Sequence, residues 1–422
     1  MLKVNNGGSL SARYLIKTVQ MDGGERIPLL VDSHTGLGVF EVTAFSLSMR
    51  SKGNQVNTLL QAMAAVQFLY DGLDEYGINL MQRASANELL TLGEVESLVA
   101  RCRFVRDELL KADLVARSSN VSAINHGLGR SRITGRRTAT VTGATTAIRL
   151  HYIIAYLNWF CDYVYLLRLP SNREEFQAVS TKVIGAIKNR IPTLPKARKR
   201  KGLTTLQEQR LLAVTAVSSL ENPWTNTFVR NRNSIIIRIM LAVGVRKGEL
   251  LGLKVDDIDF GNNTIFVARR PDDSEDPRIR QPQAKTASRI LPIASTLAQE
   301  IKKYMVGRNV IPKARKHPFV FVSSTGAPIA LNSIDALFSG LKEHFPELAS
   351  TSAHILRHTW NDRFSEMVEG VMSEAEERQL RNYLMGWSDK SRMAENYTAR
   401  YVEKRAKSAL LKLQDIAFRG VN

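Results

Sequence analysis

The sequence predicts a mainly α-helical protein with a small antiparallel sheet, built from more than one domain. Apolar residues recur at helical spacing over long stretches, most strongly in "TTAIRLHYIIAYLNWFCDYVYLL", while strand-like segments are few and short. A proline-bounded basic run, "PTLPKARKRKG" at 192–202, parts two helical regions. The chain has 422 residues, room for two or three domains at roughly 150 residues each.

In chain order, residues 12–46 hold three β-branched and aromatic runs, "RYLIKTVQM", "RIPLLVD" and "VFEVTAFSL", separated by the turn-forming "DGGE" and "SHTGLG". They predict a strand-rich N-terminal arm over 1–48. Helical periodicity begins near 55 in "NTLLQAMAAVQFLYDGLDEYGI" and returns in "TLGEVESLVARCRFVRDELL" and the long aromatic run, defining a helical domain over 49–191. Within it, "GRSRITGRR" at 129–137 interrupts the helices and concentrates Arg130, Arg132, Arg136 and Arg137, either as a solvated loop or as a phosphate contact. The linker at 192–202 carries Lys196, Arg198, Lys199, Arg200 and Lys201, a run suited to an exposed connection or to tracking a DNA backbone. The third domain, 203–422, opens on "TTLQEQRLLAV", with Thr before an amphipathic run. Helices "NSIIIRIMLAV" and "RKGELLGL" follow, then strands "VDDIDF", "NTIFVAR" and "SRILPI", then five helical segments, with "FVFVS" as a short strand.

Charge narrows the function. Lys and Arg total 59 against 40 Asp and Glu, a formal net charge of +19, with an isoelectric point near 10.0. Such an excess favours a polyanionic partner through attraction and counterion release. Nucleic acid comes first and an anionic membrane surface second, but no apolar stretch has the length of a span and the N-terminus lacks a signal-peptide run. The expected location is cytosolic, with the nucleoid. Cys102 and Cys161 have no Cys or His at ligand spacing and are expected to be buried thiols. The absence of a Gly-Lys phosphate loop, a GxGxxG run and an HExxH run disfavours ATP, dinucleotide and zincin chemistry.

Several residues look ordinary singly. Arg246 and Glu249 are spaced as a surface helical ion pair, His354 and Arg357 as an exposed face, Lys285 as a turn lysine and Tyr397 as a packed aromatic. Together, in order, they supply what cleavage of a phosphodiester without metal needs. Two guanidiniums, Arg246 and Arg357, neutralise the non-bridging oxygens. Lys285, in a cationic site, acts as an acid on the leaving 5′ oxygen. Tyr397 is the nucleophile, its phenol easier to ionise beside cations. His354 accepts that proton or bonds the phosphate.

These boxes, "GVRKGELLGL", the lysine before "SRILPI", "HILRH", "MGW" and "NYTARY", resemble the tyrosine recombinase, or phage integrase, family over about 203–422. The helical domain before them matches that family's core-binding domain in outline. The resemblance implies Arg246 and Arg357 as phosphate clamp, Lys285 as general acid, His354 as phosphate or proton partner, Tyr397 as nucleophile, and Glu249 as the residue orienting Arg246. Trp387 would stand where His is usual and can give only an indole N–H. The segment "RRPDDSEDPRIRQPQ" is longer than the family's hairpin, and Tyr401, one turn beyond Tyr397, is a second candidate nucleophile. The family further implies a C-shaped clamp on double-stranded DNA with inverted-repeat sites, a tetramer on two sites, and no metal, ATP or other cofactor. The tail "VEKRAKSALLKLQDIAF" has the periodicity to dock on a neighbour or pack on its own subunit. The expected function is site-specific recombination through a 3′-phosphotyrosyl intermediate, in integration, excision or resolution of a mobile element. A non-cutting DNA-binding protein of the same fold and a type IB topoisomerase-like relaxing enzyme are the alternatives.

Overall fold

The structure is a computed structural model and describes residues 12–110, 139–195, 200–284, 286–389, 391, 393 and 399–418. It divides into two compact units, 1–197 and 198–422.

In the first unit, strands β1 (Tyr14–Gln20) and β2 (Arg26–Asp32) form an antiparallel hairpin pairing Tyr14 with Asp32 and Gln20 with Arg26. The helices that follow among the described residues include α1 (Phe40–Ser51), α2 (Val56–Glu75), α3 (Leu80–Ser85), α4 (Leu92–Arg101), α5 (Gly143–Leu166) and α6 (Arg173–Lys188). Side chains of Asn79, Thr91, Thr142 and Asn172 accept from the first amides of α3 to α6, satisfying donors that no helical carbonyl reaches. The run "VFEVTAFSL" is helix, not strand. Its residues alternate in polarity, but the buried ones are Val42, Phe45 and Ser46, the spacing of one helical face. The hairpin shares its core with the helices: Tyr14 and Leu30 join Val66, Leu69, Leu150 and Phe160 in one buried cluster. Cys102 and Cys161 are both buried there, and burial pushes their thiols up, to about 12 and about 11.

The second unit begins with α7 (Thr205–Val214), capped by the Thr204 hydroxyl, and α8 (Thr227–Val243), capped by Asn226. After the short α9 (Lys247–Leu251) comes a three-stranded antiparallel sheet in the order β3 (Ile258–Asp259), β4 (Thr264–Val267), β5 (Arg289–Pro292). Then follow α10 (Ser295–Val310), α11 (Leu331–His344), α12 (Ala353–Val368), α13 (Glu374–Met385) and α14 (Ala399–Phe418). The segment "FVFVS" forms only isolated bridges, Lys254 with Phe319 and Val322 with Pro328, although Phe319 to Val322 are buried. Ile236, Met240, Ile265, Leu291, Ile301 and Leu356 mark a core between the sheet and the helices. No helix among the described residues is long and apolar enough to cross a membrane.

Candidate active site

Two left-handed glycines prepare the site. Gly244 (φ 63°) ends α8 and Gly386 (φ 65°) ends α13, a conformation that disfavours any Cβ. A Cβ at Gly244 would also lie 2.9 Å from Trp360 and Met385, and one at Gly386 within 2.9 Å of Thr286 and Ala287. Each turn brings a helix end, with its carbonyls, against an arginine.

Beyond Gly244 the chain reverses, and Arg246 becomes the residue preceding α9. Its amide donates to Glu249 Oε2 (3.0 Å) and its Nη1 to Glu249 Oε1 (3.2 Å), so the pair is a helix-start arrangement rather than a surface rung. The Arg246 side chain is 25% exposed and Glu249 has none of its side chain exposed. Glu249 also accepts from the Thr286 hydroxyl (2.6 Å) and from Arg289 Nη2 (3.0 Å). Burial alone would raise its carboxyl, but Arg289, Arg357, Thr286 and the Arg246 amide outweigh burial and hold it at about 2. Glu249 is therefore a fixed anion under a cationic surface.

Arg357 lies on α12, whose first turn is capped by Ser352. Only 1% exposed, it donates through Nη1 to Gly244 O (2.6 Å) and through Nη2 to Met385 O (3.4 Å). Its guanidinium lies 5.3 Å from the Trp387 ring centroid, and Trp387 is itself 8% exposed. In this conformation Arg357 thus faces carbonyls. His354, one turn earlier, is exposed at the rim and meets the buried His358 edge to face, with ring centroids 4.8 Å apart. Partial desolvation of the ring by the groups packed on one side of it lowers its pKa first, then the charges of Arg200, Arg357 and Arg246, which favours the neutral ring. The structure therefore brings together Arg246, Glu249, His354, Arg357 and Trp387, and adds Arg200 from the basic linker.

Lys285 and Tyr397 lie outside the described residues, as do Arg130, Arg132, Arg136, Arg137, Lys196, Arg198 and Lys199. The chain on either side of Lys285 is nevertheless fixed. Before it, Arg278 donates to Asp276, Leu251 O and Ile329 O, and the Gln283 carbonyl lies where a Cβ on Gly248 would be, 2.6 Å away. After it, Thr286 binds Glu249 and the Ala287 amide donates to Gly386 O (3.1 Å). Lys201 is exposed and pairs with Glu403 at 2.6 Å. Tyr401, partly buried in the first turn of α14, donates its amide to Asp362 Oδ1 (3.1 Å), and Arg405 lies 5.9 Å from its ring.

Arg289 escaped the sequence reading. It begins β5 at the inward register of Leu291, while Ile290 is 54% exposed, and it ties Glu249 to Leu384 O (2.6 Å) at the end of α13. The sequence shows only that Arg289 shares one face of an alternating strand with Leu291, and the structure makes that face the covered one. Arg381, also 1% exposed, joins α13 to α12 by donating to Asn361 and Ser365, and pairs within α13 with Glu377. Among the described residues no His, Cys, Asp and Glu side chains group as metal ligands would.

Residues 204–404, which contain this charged cluster, match the model of the phage integrase family. Over this segment, just under half of the chain, the protein is similar to the phage integrase family. A tyrosine recombinase XerC of Mycobacterium bovis is 26% identical over 219 residues, covering 52% of this chain and 63% of that protein. The XerC of Bacillus subtilis is 25% identical over 170 residues, covering 40% of this chain and 49% of the relative. The chain thus spans about half to two thirds of the length of these two relatives. A crystal structure of a XerH site-specific recombinase bound to a palindromic difH substrate covers 84% of this chain at 13% identity, with 86% of its own length covered and a TM-score of 0.43. The matched segment begins just after the basic linker and runs past Tyr401; it includes Arg246, Glu249, Arg289, His354, Arg357 and Trp387, while Arg200, Lys201 and Arg405 lie just outside it, and it excludes the first unit.

Proposed function

We propose that this chain is a member of the phage integrase family and a site-specific DNA recombinase that cleaves and rejoins strands through a 3′-phosphotyrosyl intermediate, moving a mobile element by integration, excision or resolution. The observation that carries the reading is the cluster in which Arg246, His354 and Arg357 share one electrostatic neighbourhood above the buried anion Glu249, inside the matched segment. Arg246 and Arg357 neutralise the non-bridging oxygens of the scissile phosphate. The Tyr397 oxygen attacks phosphorus, forming the Tyr–P bond as the P–O bond to the 5′ oxygen breaks. Lys285 gives its proton to that leaving oxygen, and His354, favoured as the neutral ring, takes the phenolic proton. Trp387 packs against Arg357 and offers an indole N–H to the phosphate. Attack on the phosphotyrosine by a 5′ hydroxyl of the partner strand reverses the steps, so the bond energy is kept without metal or ATP.

In this reading the first unit is the helical DNA-binding domain, the second the catalytic domain, and the basic run 192–202 the linker of a clamp on duplex DNA. A tetramer on two inverted-repeat sites in the cytoplasm is the working assembly. One observation favours the non-cutting alternative: both terminal nitrogens of Arg357 are engaged by carbonyls. Covalent capture decides. Incubated with DNA from its own gene and flanks in chelator, then denatured, the wild type is expected to carry DNA on Tyr397 and Tyr397→Phe to bind without attachment. An adduct retained by Tyr397→Phe moves the nucleophile to Tyr401; binding without any wild-type adduct supports the non-cutting protein. Relaxation of supercoils without exchange between sites supports the topoisomerase-like reading.

A further inference from the structure

Two segments far apart in sequence end on one buried carboxylate. Asp362, 4% exposed, lies on α12 beyond Arg357. Its Oδ2 accepts from the Gly202 amide at 3.1 Å, where the basic linker enters the second unit, and its Oδ1 accepts from the Tyr401 amide at 3.1 Å. Gly202 has no room for a side chain, since a Cβ would lie 2.7 Å from Asp362 Oδ2 and from the Thr359 backbone. Tyr401 is the third residue of α14, so its amide is one of the first four that no helical carbonyl satisfies. Asp362 supplies the missing acceptor from another helix, and its negative charge lies at the end of α14 that the helix dipole makes positive.

The same helices are joined elsewhere by exposed ion pairs, Lys404 with Glu366 (3.0 Å) and Arg405 with Glu369 (3.1 Å), and Lys201 pairs with Glu403. Such pairs hold weakly and loosen in salt. A buried carboxylate bonded to two amides fixes direction as well as proximity. It does so on the helix that carries His354 and Arg357 and four residues after Tyr397.

We propose that Asp362 is a positioning residue for the nucleophile: by capping α14 from α12, it anchors the helix start on which the tyrosine-bearing segment ends, relative to the phosphate-binding side chains. This rests on the recombinase reading. The test measures single-turnover covalent attachment of the full chain to a nicked duplex carrying the DNA captured by the wild type. The duplex is made with an ordinary 5′ oxygen and with a bridging 5′ sulfur, a leaving group that departs without a proton. Asp362→Ala is expected to slow attachment at least about tenfold on both duplexes, because misplacing a reacting group by an ångström costs up to about a hundredfold. Its DNA affinity is expected to stay at the wild-type value. Asp362→Asn, with one acceptor oxygen left, falls between. Thr359→Val removes only the hydroxyl that accepts from the Leu203 amide (2.8 Å), a bond on the linker side, and attaches at close to the wild-type rate. Lys285→Ala is slow on oxygen and restored on sulfur.

Wild-type attachment rates in Asp362→Ala, equal slowing in Thr359→Val, or restoration of Asp362→Ala by sulfur would each overturn the proposal. Should Asp362→Ala fail to fold, Asp362→Asn decides, and a wild-type rate there overturns it as well. Absence of an adduct from the wild type sinks the recombinase reading, and this inference with it.

Discussion

Glu249 is the residue on which the charged cluster depends. It is an ionised carboxylate with no side-chain exposure, bonded to Arg246, Thr286 and Arg289, so removing its charge leaves buried guanidinium unbalanced. Breaking a buried pair costs about 3–5 kcal/mol, and the lower end applies because Arg289 keeps its bond to Leu384 O. Glu249→Gln is therefore expected to lose about 3 kcal/mol at neutral pH in denaturant unfolding. The sign of the pH dependence follows from the direction of the shift. The folded carboxyl titrates at about 2, below its ordinary 4.5, so its stabilisation is complete above pH 4.5 and drains away as pH falls toward 2. Wild-type stability should fall over that interval more steeply than that of Glu249→Gln; parallel curves would show that Glu249 is not held ionised.

At the scale of elements, close packing of the chain before Lys285 on α9 decides the geometry. Alanine in place of glycine inside a helix usually gains about 0.5–1 kcal/mol, but at Gly248 the new Cβ would stand 2.6 Å from the Gln283 carbonyl. Overpacking costs about 1–3 kcal/mol, so Gly248→Ala is expected to lower the thermal midpoint and slow DNA attachment; a raised midpoint would show that this chain is free to move. The same scale shows what sequence could reveal. The helices were legible because apolar spacing survives in α2, α5, α8 and α12, and β4 and β5 were legible from alternation. Helix α1 was not, because a run with two-residue alternation also places Val42, Phe45 and Ser46 on one helical face. Arg246, Glu249, His354, Arg357 and Trp387 could be named from their joint pattern, but pattern did not show that Arg357 faces carbonyls. Arg289 was hidden because one strand's sequence does not say which face is covered. Asp362 was illegible because its partners lie 160 and 39 residues away, beyond any local spacing rule.

For the whole molecule, the proposed recombinase reading makes the excess of 19 positive charges the main source of affinity for DNA. Affinity is expected to fall linearly on a log–log plot against salt, with a slope of about −0.9 for each phosphate neutralised; a flat response in a filter-binding or anisotropy titration would remove the charge argument. The meeting of Gly202 and Tyr401 on Asp362 has an evolutionary consequence. The chain that enters the second unit and the first turn of its α14 are fastened at one point inside that unit, so both bonds lie downstream of any exchange made before residue 198. An insertion or swap among lineages at that junction would thus leave the latch on Asp362 in place.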